Sequence, residues 1–397
     1  MENTESTAPD PRYLEAIHEY EAAIDRGRPL NVEEWIQRYP EVEPALLRDY
    51  VQNRKGVDQF LGGTANGRRR PEFVNLQSFS HYSVIDLIGW GGTASIHCLQ
   101  DSRFGRQAAI KVPLKHLAND ERTLARLKRE AKLSGRLQHP GIVPVYDVGT
   151  TDTDSGQVPY FTMRYVQGES LAKLLEQRVS PQHDQFRFIY MFRQICQAVA
   201  YAHNEGIIHC DLKPENVKVG YFDDPYVLDW GFARDCRDQK LNPCPQILPL
   251  DQVLASDGAS GADPALTVAM PPWYADSEFA GEILGTPCYL APEVAKFGVG
   301  VADKSSDVFC LGGILCRILT GTPTFSGFRD DASRCSQDGN LDDTYARLEK
   351  SAADPELITL AKDCLAVDRS KRPSDANEVA NRVTEYIRGQ EEAKLKA

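Results

Sequence analysis

The segment His209–Val217, which reads HCDLKPENV, constrains the fold of this chain more than any other feature. It places Asp211, Lys213 and Asn216 close together in sequence, and Asp229 follows at the end of a short apolar run. A solvated turn between a helix and a strand does not easily explain these residue types at this spacing. Phosphoryl transfer does explain them, because it needs a carboxylate beside the attacking hydroxyl and oxygen ligands for Mg²⁺.

These residue types predict a division of roles within that chemistry. Asp211 is the candidate carboxylate at the attacking hydroxyl, and Lys213 is a candidate to steady the transferred phosphate. The side-chain oxygens of Asn216 and Asp229 are the candidate ligands of Mg²⁺. We therefore expect a fold in which these side chains converge on a magnesium-bound triphosphate.

A glycine-rich run, Gly89–Ile96 with the sequence GWGGTASI, lies between two strand-like segments. Glycines in such a turn let backbone N–H groups approach phosphate oxygens without an intervening Cβ. A tight hairpin explains three glycines equally well. Lys111 lies inside the apolar run AAIKV, and two interpretations of it are open. It is either an edge-strand lysine that reaches solvent or a phosphate ligand held against a helix carboxylate, for which Glu130 is the candidate.

Composition narrows the classes of partner and compartment. The formal net charge of −12 argues against binding to bare nucleic acid or to an anionic membrane surface. The run Val308–Leu319 is too short to cross a bilayer, and it contains Arg317, so it predicts a buried helix. The N-terminus lacks the features of a signal peptide and the ten cysteines are scattered, so we expect a cytoplasmic protein with reduced thiols.

The pattern of apolar and turn residues predicts an α+β chain with a small β-rich lobe before a larger helical one. Strand-like runs flank the glycines, and a charged helix is predicted from Asn119 to Leu137. The predicted order of segments is a helical N-terminal region (1–61), a linker (62–81), a β-rich lobe (82–167), a mainly helical lobe (168–387) and a charged tail (388–397).

From about Tyr82 to Ile387 the sequence resembles the eukaryotic-type serine/threonine protein kinases found in bacteria. The signatures that carry the resemblance are the Gly89 loop, Lys111, Glu130, HCDLKPEN, DWG, GTPCYLAPE from Gly285, SDVFCLG from Ser306, and Arg372. The resemblance implies a bilobal protein-kinase fold. It also implies an enzyme that uses ATP and Mg²⁺ to phosphorylate serine or threonine hydroxyls of protein substrates.

The resemblance also implies roles for individual positions. Asp211 corresponds to the catalytic base, with Asn216 and Asp229 as Mg²⁺ ligands, and the remaining catalytic positions are Lys213, Lys111 and Glu130. The loop that covers ATP comprises Ile88, Gly89, Trp90, Gly91, Gly92, Thr93, Ala94, Ser95 and Ile96. The adenine side comprises Met163, which guards the back of the pocket, and the hinge residues Arg164, Tyr165 and Val166.

Five positions carry additional expectations from the same resemblance. Glu293 is expected to pair with Arg372 as a structural ion pair, and Asp307 is expected to brace the catalytic loop. Lys213 and Thr286 are the residue types seen in serine/threonine rather than tyrosine kinases.

The chain departs from the family pattern at three single positions. Ala94 replaces a glycine, and Trp230 replaces a phenylalanine, although the larger ring could still stack beside His209. Cys210 replaces the arginine that would pair with an activation-loop phosphate. We therefore hypothesise that activity does not need phosphorylation of that loop.

The fourth departure is an insertion of unusual length. About sixty residues separate Gly231 from Ala291, and loops this long are usually functional or disordered. We expect disorder from about Asp235 to Ala280, with PPWY as a candidate docking patch. A tolerated surface insertion is an equally open interpretation.

Two alternatives to a kinase that acts mainly through catalysis stay open. Cys210, Ala94 and Trp230 are compatible with an ATP-binding pseudokinase or scaffold. The N-terminal helices could recruit a partner or form a homodimer, with Trp35 and Tyr39 as exposed aromatics of a binding face. They could equally pack on the kinase domain.

Overall fold

The chain divides into two units, seen here in a computed structural model. The residues that the structure describes are 12, 16, 19, 32–44, 47–48, 71–76, 80–153, 156–237, 287–326 and 329–396. Unit 1 comprises Met1–Arg106, Ile110–Leu124 and Thr150–Pro159. Unit 2 comprises Gln107–Ala109, Ala125–Gly149 and Tyr160–Ala397.

The N-terminal region of unit 1 has a small core of its own around helix α1 (Val32–Gln37), which lies within the predicted helical region 1–61. Trp35 is fully buried, and its indole N–H donates to the backbone oxygen of Ala16 at 3.2 Å. The expectation that Trp35 belongs to an exposed binding face is therefore wrong. The indole is apolar enough to form the centre of this core, which is completed by Ile36, Val42 and Leu47.

Five strands form the main sheet, in the order β1-β2-β3-β5-β4. Their bounds are β1 Tyr82–Trp90, β2 Ala94–Asp101, β3 Arg106–Pro113, β4 Val145–Thr153 and β5 Gly156–Arg164. The predicted pairing of the first two is confirmed, because β1 and β2 are antiparallel with Trp90 opposite Ser95. This register places the glycine-rich run at the turn between them.

Apolar side chains explain why β3 lies inside this sheet. Ala108, Ala109, Ile110 and Val112 are all buried, whereas Lys111 is only partly buried. Small and β-branched residues suit a covered strand. The sequence expectation of a lysine set within an apolar strand is confirmed.

The remaining elements make the chain mainly helical after β5, as predicted. Helix α2 (Glu121–Arg136) corresponds to the charged helix predicted from Asn119 to Leu137. The later helices are α3 Leu171–Glu176, α4 Gln185–Asn204, α5 Pro292–Phe297, α6 Lys304–Thr320, α7 Arg329–Asp338, α8 Asp342–Lys350, α9 Pro355–Cys364 and α10 Ala376–Lys396. The short strands are β6 Glu169–Ser170, β7 Ile207–Ile208, β8 Val217–Val219, β9 Pro225–Val227 and β10 Arg234–Asp235.

Helix α6 forms the centre of unit 2. It begins at Asp303, whose side chain accepts hydrogen bonds from the backbone N–H groups of Ser305 and Ser306, and it ends at Gly321 with φ of 77°. All its residues from Ser306 to Leu319 are buried, so the prediction of a buried helix at Val308–Leu319 is confirmed. No helix in the described ranges has both the length and the apolar character needed to cross a bilayer.

The state of the cysteines is as expected, whereas most of the predicted disordered segment lies outside the described residues. The nine cysteines that the structure describes are free thiols, as expected. Asp235, the first residue of the predicted disordered segment, lies in β10. From residue 238 onward, that segment falls outside the described residues, and so does PPWY. Thr286 and most of the predicted helical N-terminal region, 1–61, also lie outside them.

Candidate active site

The loop after β7 brings three of the predicted site residues of unit 2 into contact. The Nζ of Lys213 lies 2.8 Å from Oδ2 of Asp211, and the Nδ2 of Asn216 lies 3.0 Å from the same oxygen. Asn216 Nδ2 also donates to the backbone oxygen of Asp211 at 2.8 Å. Asp211 and Asn216 are buried, so these contacts form in a place with little solvent and are strong for that reason.

Lys213 stays charged in this cluster. Burial lowers the pKa of its ammonium, but the charge and hydrogen bond of Asp211 and the charges of Asp229 and Glu215 outweigh burial and raise the pKa above its ordinary value. A permanent positive charge is therefore held beside the candidate base.

Asp307, the first acidic residue of α6, positions the backbone of this loop. Its Oδ2 accepts the N–H of His209 at 2.8 Å, and its Oδ1 accepts the N–H of Cys210 at 2.9 Å. The Nε2 of His203 lies 3.0 Å from Oδ2. Asp307 is fully buried, and the expectation that it braces the catalytic loop is confirmed.

Asp229 follows β9 and adopts a left-handed backbone conformation, with φ of 58° and ψ of 70°. Two residues later, a Cβ added to Gly231 would lie 3.2 Å from Oδ1 of Asp229 and 3.2 Å from Oε2 of Glu130. A side chain at this position would therefore crowd both carboxylates. Glu130, on α2, is buried beside the predicted metal ligand.

The aromatic substitution at position 230 is accommodated as predicted. The rings of His209 and Trp230 lie 4.6 Å apart between centroids, at 54° to each other. His209 Nε2 donates to the backbone oxygen of Leu228 at 2.9 Å, and its Nδ1 accepts the N–H of Asp211 at 3.2 Å. These bonds fix one imidazole tautomer and tie the catalytic loop to the strand before Asp229.

The predicted adenine side of unit 2 is apolar. Met163 packs against Leu127, Ala131 and Phe161 on one side and against a cluster that contains Val166 on the other. The backbone N–H of Arg164 donates to the oxygen of Pro144 at 3.1 Å. This surrounding suits a flat, largely apolar base.

In unit 1, the loop from Ile88 to Ile96 connects β1 and β2. The N–H of Gly91 donates to the oxygen of Ala94 at 2.8 Å. None of Gly89, Gly91 and Gly92 has a positive φ, and a Cβ added to any of them would meet no atom within 4 Å. Neither turn geometry nor packing within the chain therefore requires these glycines. This favours close approach by a ligand over the plain hairpin interpretation.

The residues present fit a nucleotide-borne Mg²⁺ better than a metal held by protein alone. Among the parts of the chain that the structure describes, no group of three or more His, Cys, Asp and Glu residues could hold a metal. Mg²⁺ commonly takes only one or two protein oxygens and completes its shell with water and phosphate. Because Asn216 uses its nitrogen on Asp211, its side-chain oxygen is the atom that remains for a metal.

Glu293 and Arg372 form the predicted ion pair, with two parallel contacts of 2.8 and 2.9 Å. Burial raises the pKa of the Glu293 carboxyl, but the hydrogen bonds and charge of Arg372 outweigh it and hold the pKa below its usual value. The pair therefore stays ionised in the interior of unit 2.

Sequence reasoning missed one contact next to Gly231. The Nε of Arg126, on α2, donates to the backbone oxygen of Gly231 at 3.0 Å, and its guanidinium lies 3.7 Å above the ring of Phe232. Nothing in the local sequence distinguishes Arg126 from the other cations of α2. The contact follows from the packing of the helix.

The comparisons with known proteins agree with this geometry. The protein kinase domain family matches residues 82–253 and 271–384. The serine/threonine-protein kinase PknB of Mycobacterium tuberculosis is 34% identical over 248 residues, which are 62% of this chain and 33% of the relative. PknD of Chlamydia trachomatis, also a serine/threonine-protein kinase, is 30% identical over 334 residues, 80% of this chain and 32% of the relative.

The chain spans about a third of the length of these curated relatives. The gap between the two matched segments, 254–270, falls within the predicted insertion. The matched segments cover well over half of the chain and include every predicted catalytic and metal-binding position. The chain therefore belongs to the protein kinase domain family, as its motifs predicted.

Proposed function

We propose that this chain is a protein serine/threonine kinase that transfers the γ-phosphoryl group of ATP to hydroxyls of protein substrates. The observation that carries the proposal is the cluster in which Lys213 and Asn216 both hydrogen-bond the carboxylate of Asp211. The named activity of the bacterial relatives supports the same chemistry.

Asp211 is the proposed base. Within the described residues, both hydrogen bonds to its side chain go to Oδ2, and Oδ1 is the atom proposed to accept the proton of the substrate hydroxyl. Lys213, charged beside it, stabilises the negative charge that develops on the moving phosphoryl group.

Bound Mg²⁺–ATP supplies the phosphoryl group and the cation that neutralises its charge during transfer. The side-chain oxygens of Asn216 and Asp229 are proposed to hold the metal. Lys111, with Glu130 as its proposed partner, and the loop Ile88–Ile96 are proposed to bind the phosphates. The segment Met163–Val166 is proposed to flank the adenine.

The comparisons do not support the pseudokinase alternative, because the relatives that match this chain are named as kinases. The residue types proposed to contact phosphate, metal and hydroxyl are all present. Lys213 is the type expected of kinases that act on serine and threonine. Because ATP and reduced thiols are abundant in the cytoplasm, we propose that compartment as the site of action.

We further propose that catalysis does not depend on phosphorylation of the activation segment. Cys210 offers no guanidinium to a phosphate, and its side chain is buried. The segment after Gly231 is instead fixed at its base by pairing of β10 with β7 and by Arg234. The Nη1 of Arg234 donates to the backbone oxygens of Val299 at 3.3 Å and Ala302 at 2.8 Å.

Phosphoamino acid analysis tests the proposed function. The full chain is incubated with γ-labelled ATP, Mg²⁺ and a mixture of peptides that contain serine, threonine or tyrosine. We expect label on serine or threonine, and we expect Lys111→Met to reduce transfer by about a hundredfold or more. Lys350→Met, at an exposed lysine, is the matched control and should transfer normally. No transfer by the wild type, or label on tyrosine alone, would contradict the proposal.

A further inference from the structure

A short stretch of the predicted linker contacts the β-rich part of unit 1. We call the residues Glu72, Phe73 and Val74 the strap. The strap precedes the family match, which begins at residue 82. Phe73 forms an antiparallel bridge with Leu114, and the N–H of Lys115 donates to the backbone oxygen of Glu72 at 3.1 Å. Val74 is buried, so the strap is packed onto its neighbours.

The ring of Phe73 contacts one residue of the glycine-rich loop and the residue that directly follows the loop. Its centroid lies 5.6 Å from that of Trp90, at 63°, and 6.2 Å from that of His97, at 89°. Both are edge-to-face arrangements, which are favourable for aromatic pairs. Trp90 lies between two glycines of the loop, and His97 lies in β2.

A second route connects the strap to the same loop through the backbone. Leu114, the bridge partner of Phe73, donates its N–H to the oxygen of Thr93 at 3.0 Å. Leu114 therefore forms backbone contacts with both the strap and the loop. The ring contacts and this hydrogen bond are independent of each other, and both end on residues 90–97.

We propose that the strap positions the glycine-rich loop for nucleotide binding, with Phe73 as the main positioning residue. This inference rests on the proposed function, in which that loop binds the phosphates of ATP. The loop glycines have open space around them, so these positions contribute no packing that would hold the loop in one conformation. Contacts at its two ends lower the conformational entropy of the loop in the nucleotide-free protein. Less entropy is then lost when the nucleotide binds.

The proposal predicts two effects of removing the ring. In Phe73→Ala, backbone amides of residues 89–96 exchange hydrogen faster in the nucleotide-free protein, because the loop opens more often. The Kd for Mg²⁺–ADP, measured by titration calorimetry on the full chain, rises by about three- to tenfold. Phe73→Tyr keeps the ring and should restore both values.

Phe104→Ala is the matched control. Phe104 lies between β2 and β3 and is 71% exposed, so its removal should change neither exchange in the loop nor the Kd. If Phe73→Ala does not fold, Phe73→Leu keeps apolar contact, loses the ring edges and should show the same changes at a smaller size.

Exchange of residues 89–96 at the wild-type rate in the Phe73 variant would overturn the proposal, whatever the nucleotide affinity. Faster exchange with a Kd within twofold of the wild type would also overturn it, since the strap would then not act on binding. Failure of the wild type to bind Mg²⁺–ADP would instead count against the proposed function, and the exchange measurement would still decide whether the strap holds the loop.

Discussion

Cys210 and Asp229 have backbone conformations that residues with a side chain seldom adopt, with φ of 68° and 58°. Each such residue costs on the order of 1–3 kcal/mol and persists only when its surroundings hold it in place. Asp307 holds the first by accepting the N–H of Cys210. The strained residues lie in the two segments that carry the candidate base and the candidate metal ligand. The strained backbone therefore helps to orient those two carboxylates.

His97 is a buried residue whose neutral state should make stability depend on pH. Burial lowers the pKa of its imidazole from 6.5 to about 4. Between these values the unfolded chain binds the proton and the folded chain does not, so stability is present above pH 6.5 and falls as the pH drops toward 4. We expect about 3 kcal/mol of the free energy of unfolding to be lost across this window.

Urea unfolding of the full chain at a series of pH values measures this loss. His97→Gln should show a flatter dependence than the wild type, because an amide does not titrate. His183→Gln, whose parent side chain is 54% exposed, should follow the wild-type curve. Parallel curves for the wild type and His97→Gln would contradict the assignment of the effect to His97.

At the scale of elements, the base of the segment that follows Gly231 is held by main-chain pairing of β10 with β7. Arg234 in β10 lies opposite Ile208 in β7 and is almost fully buried. Its guanidinium reaches backbone oxygens of the turn Val299–Val301 and of Ala302. These carbonyl oxygens accept hydrogen bonds from a charged donor, which makes the bonds stronger than neutral ones.

Kinetics of phosphatase-treated enzyme test this arrangement. We expect the treated wild type to retain its kcat within about twofold, because no phosphate is needed to hold the segment. Arg234→Ala should lower kcat by about tenfold and the free energy of unfolding by about 3 kcal/mol, since it leaves a cavity and several carbonyls without a donor.

Arg237→Ala provides the matched comparison. The side chain of Arg237 is 49% exposed and pairs with Glu205 at 3.3 Å, and such surface pairs contribute about 0–1 kcal/mol. It should leave both quantities nearly unchanged. A loss of activity on phosphatase treatment that is reproduced by mutating one phosphosite would contradict phosphorylation-independent activity.

Local sequence was enough to predict the strands β1 and β2, the charged helix α2 and the buried helix α6. Each is specified by the spacing of its own apolar residues. The same spacing does not predict the burial of Trp35, because periodicity alone does not indicate what packs over a short helix. It also missed Phe73, whose role depends on strands that follow it in the chain.

At the scale of the whole molecule, the site combines residues that are far apart in sequence. Asp307 contacts Cys210 across 97 positions, and Arg126 contacts Gly231 across 105. The first contact could be predicted because family motifs mark Asp307. The second could not, because tertiary packing rather than local spacing determines it.

Unit 2 also contains an ion pair between residues that are far apart in sequence. Glu293 contacts Arg372 across 79 positions; Arg372 is buried, and the Glu293 side chain is 10% exposed. Removing one partner of an ion pair of this kind strongly lowers the free energy of unfolding. Family motifs marked both residues, which is why this pair could be predicted before its geometry was known.

The central claim is that Asp211 acts as the base of a phosphoryl transfer, and steady-state kinetics of Asp211→Asn tests it most directly. The variant keeps the shape of the side chain and removes its capacity to accept the proton. We predict that kcat falls by about a hundred- to ten-thousandfold, while the Kd for Mg²⁺–ADP stays near that of the wild type. Asp342→Asn, at an exposed aspartate of α8, should keep the wild-type kcat. Turnover by Asp211→Asn at the wild-type rate would contradict the account.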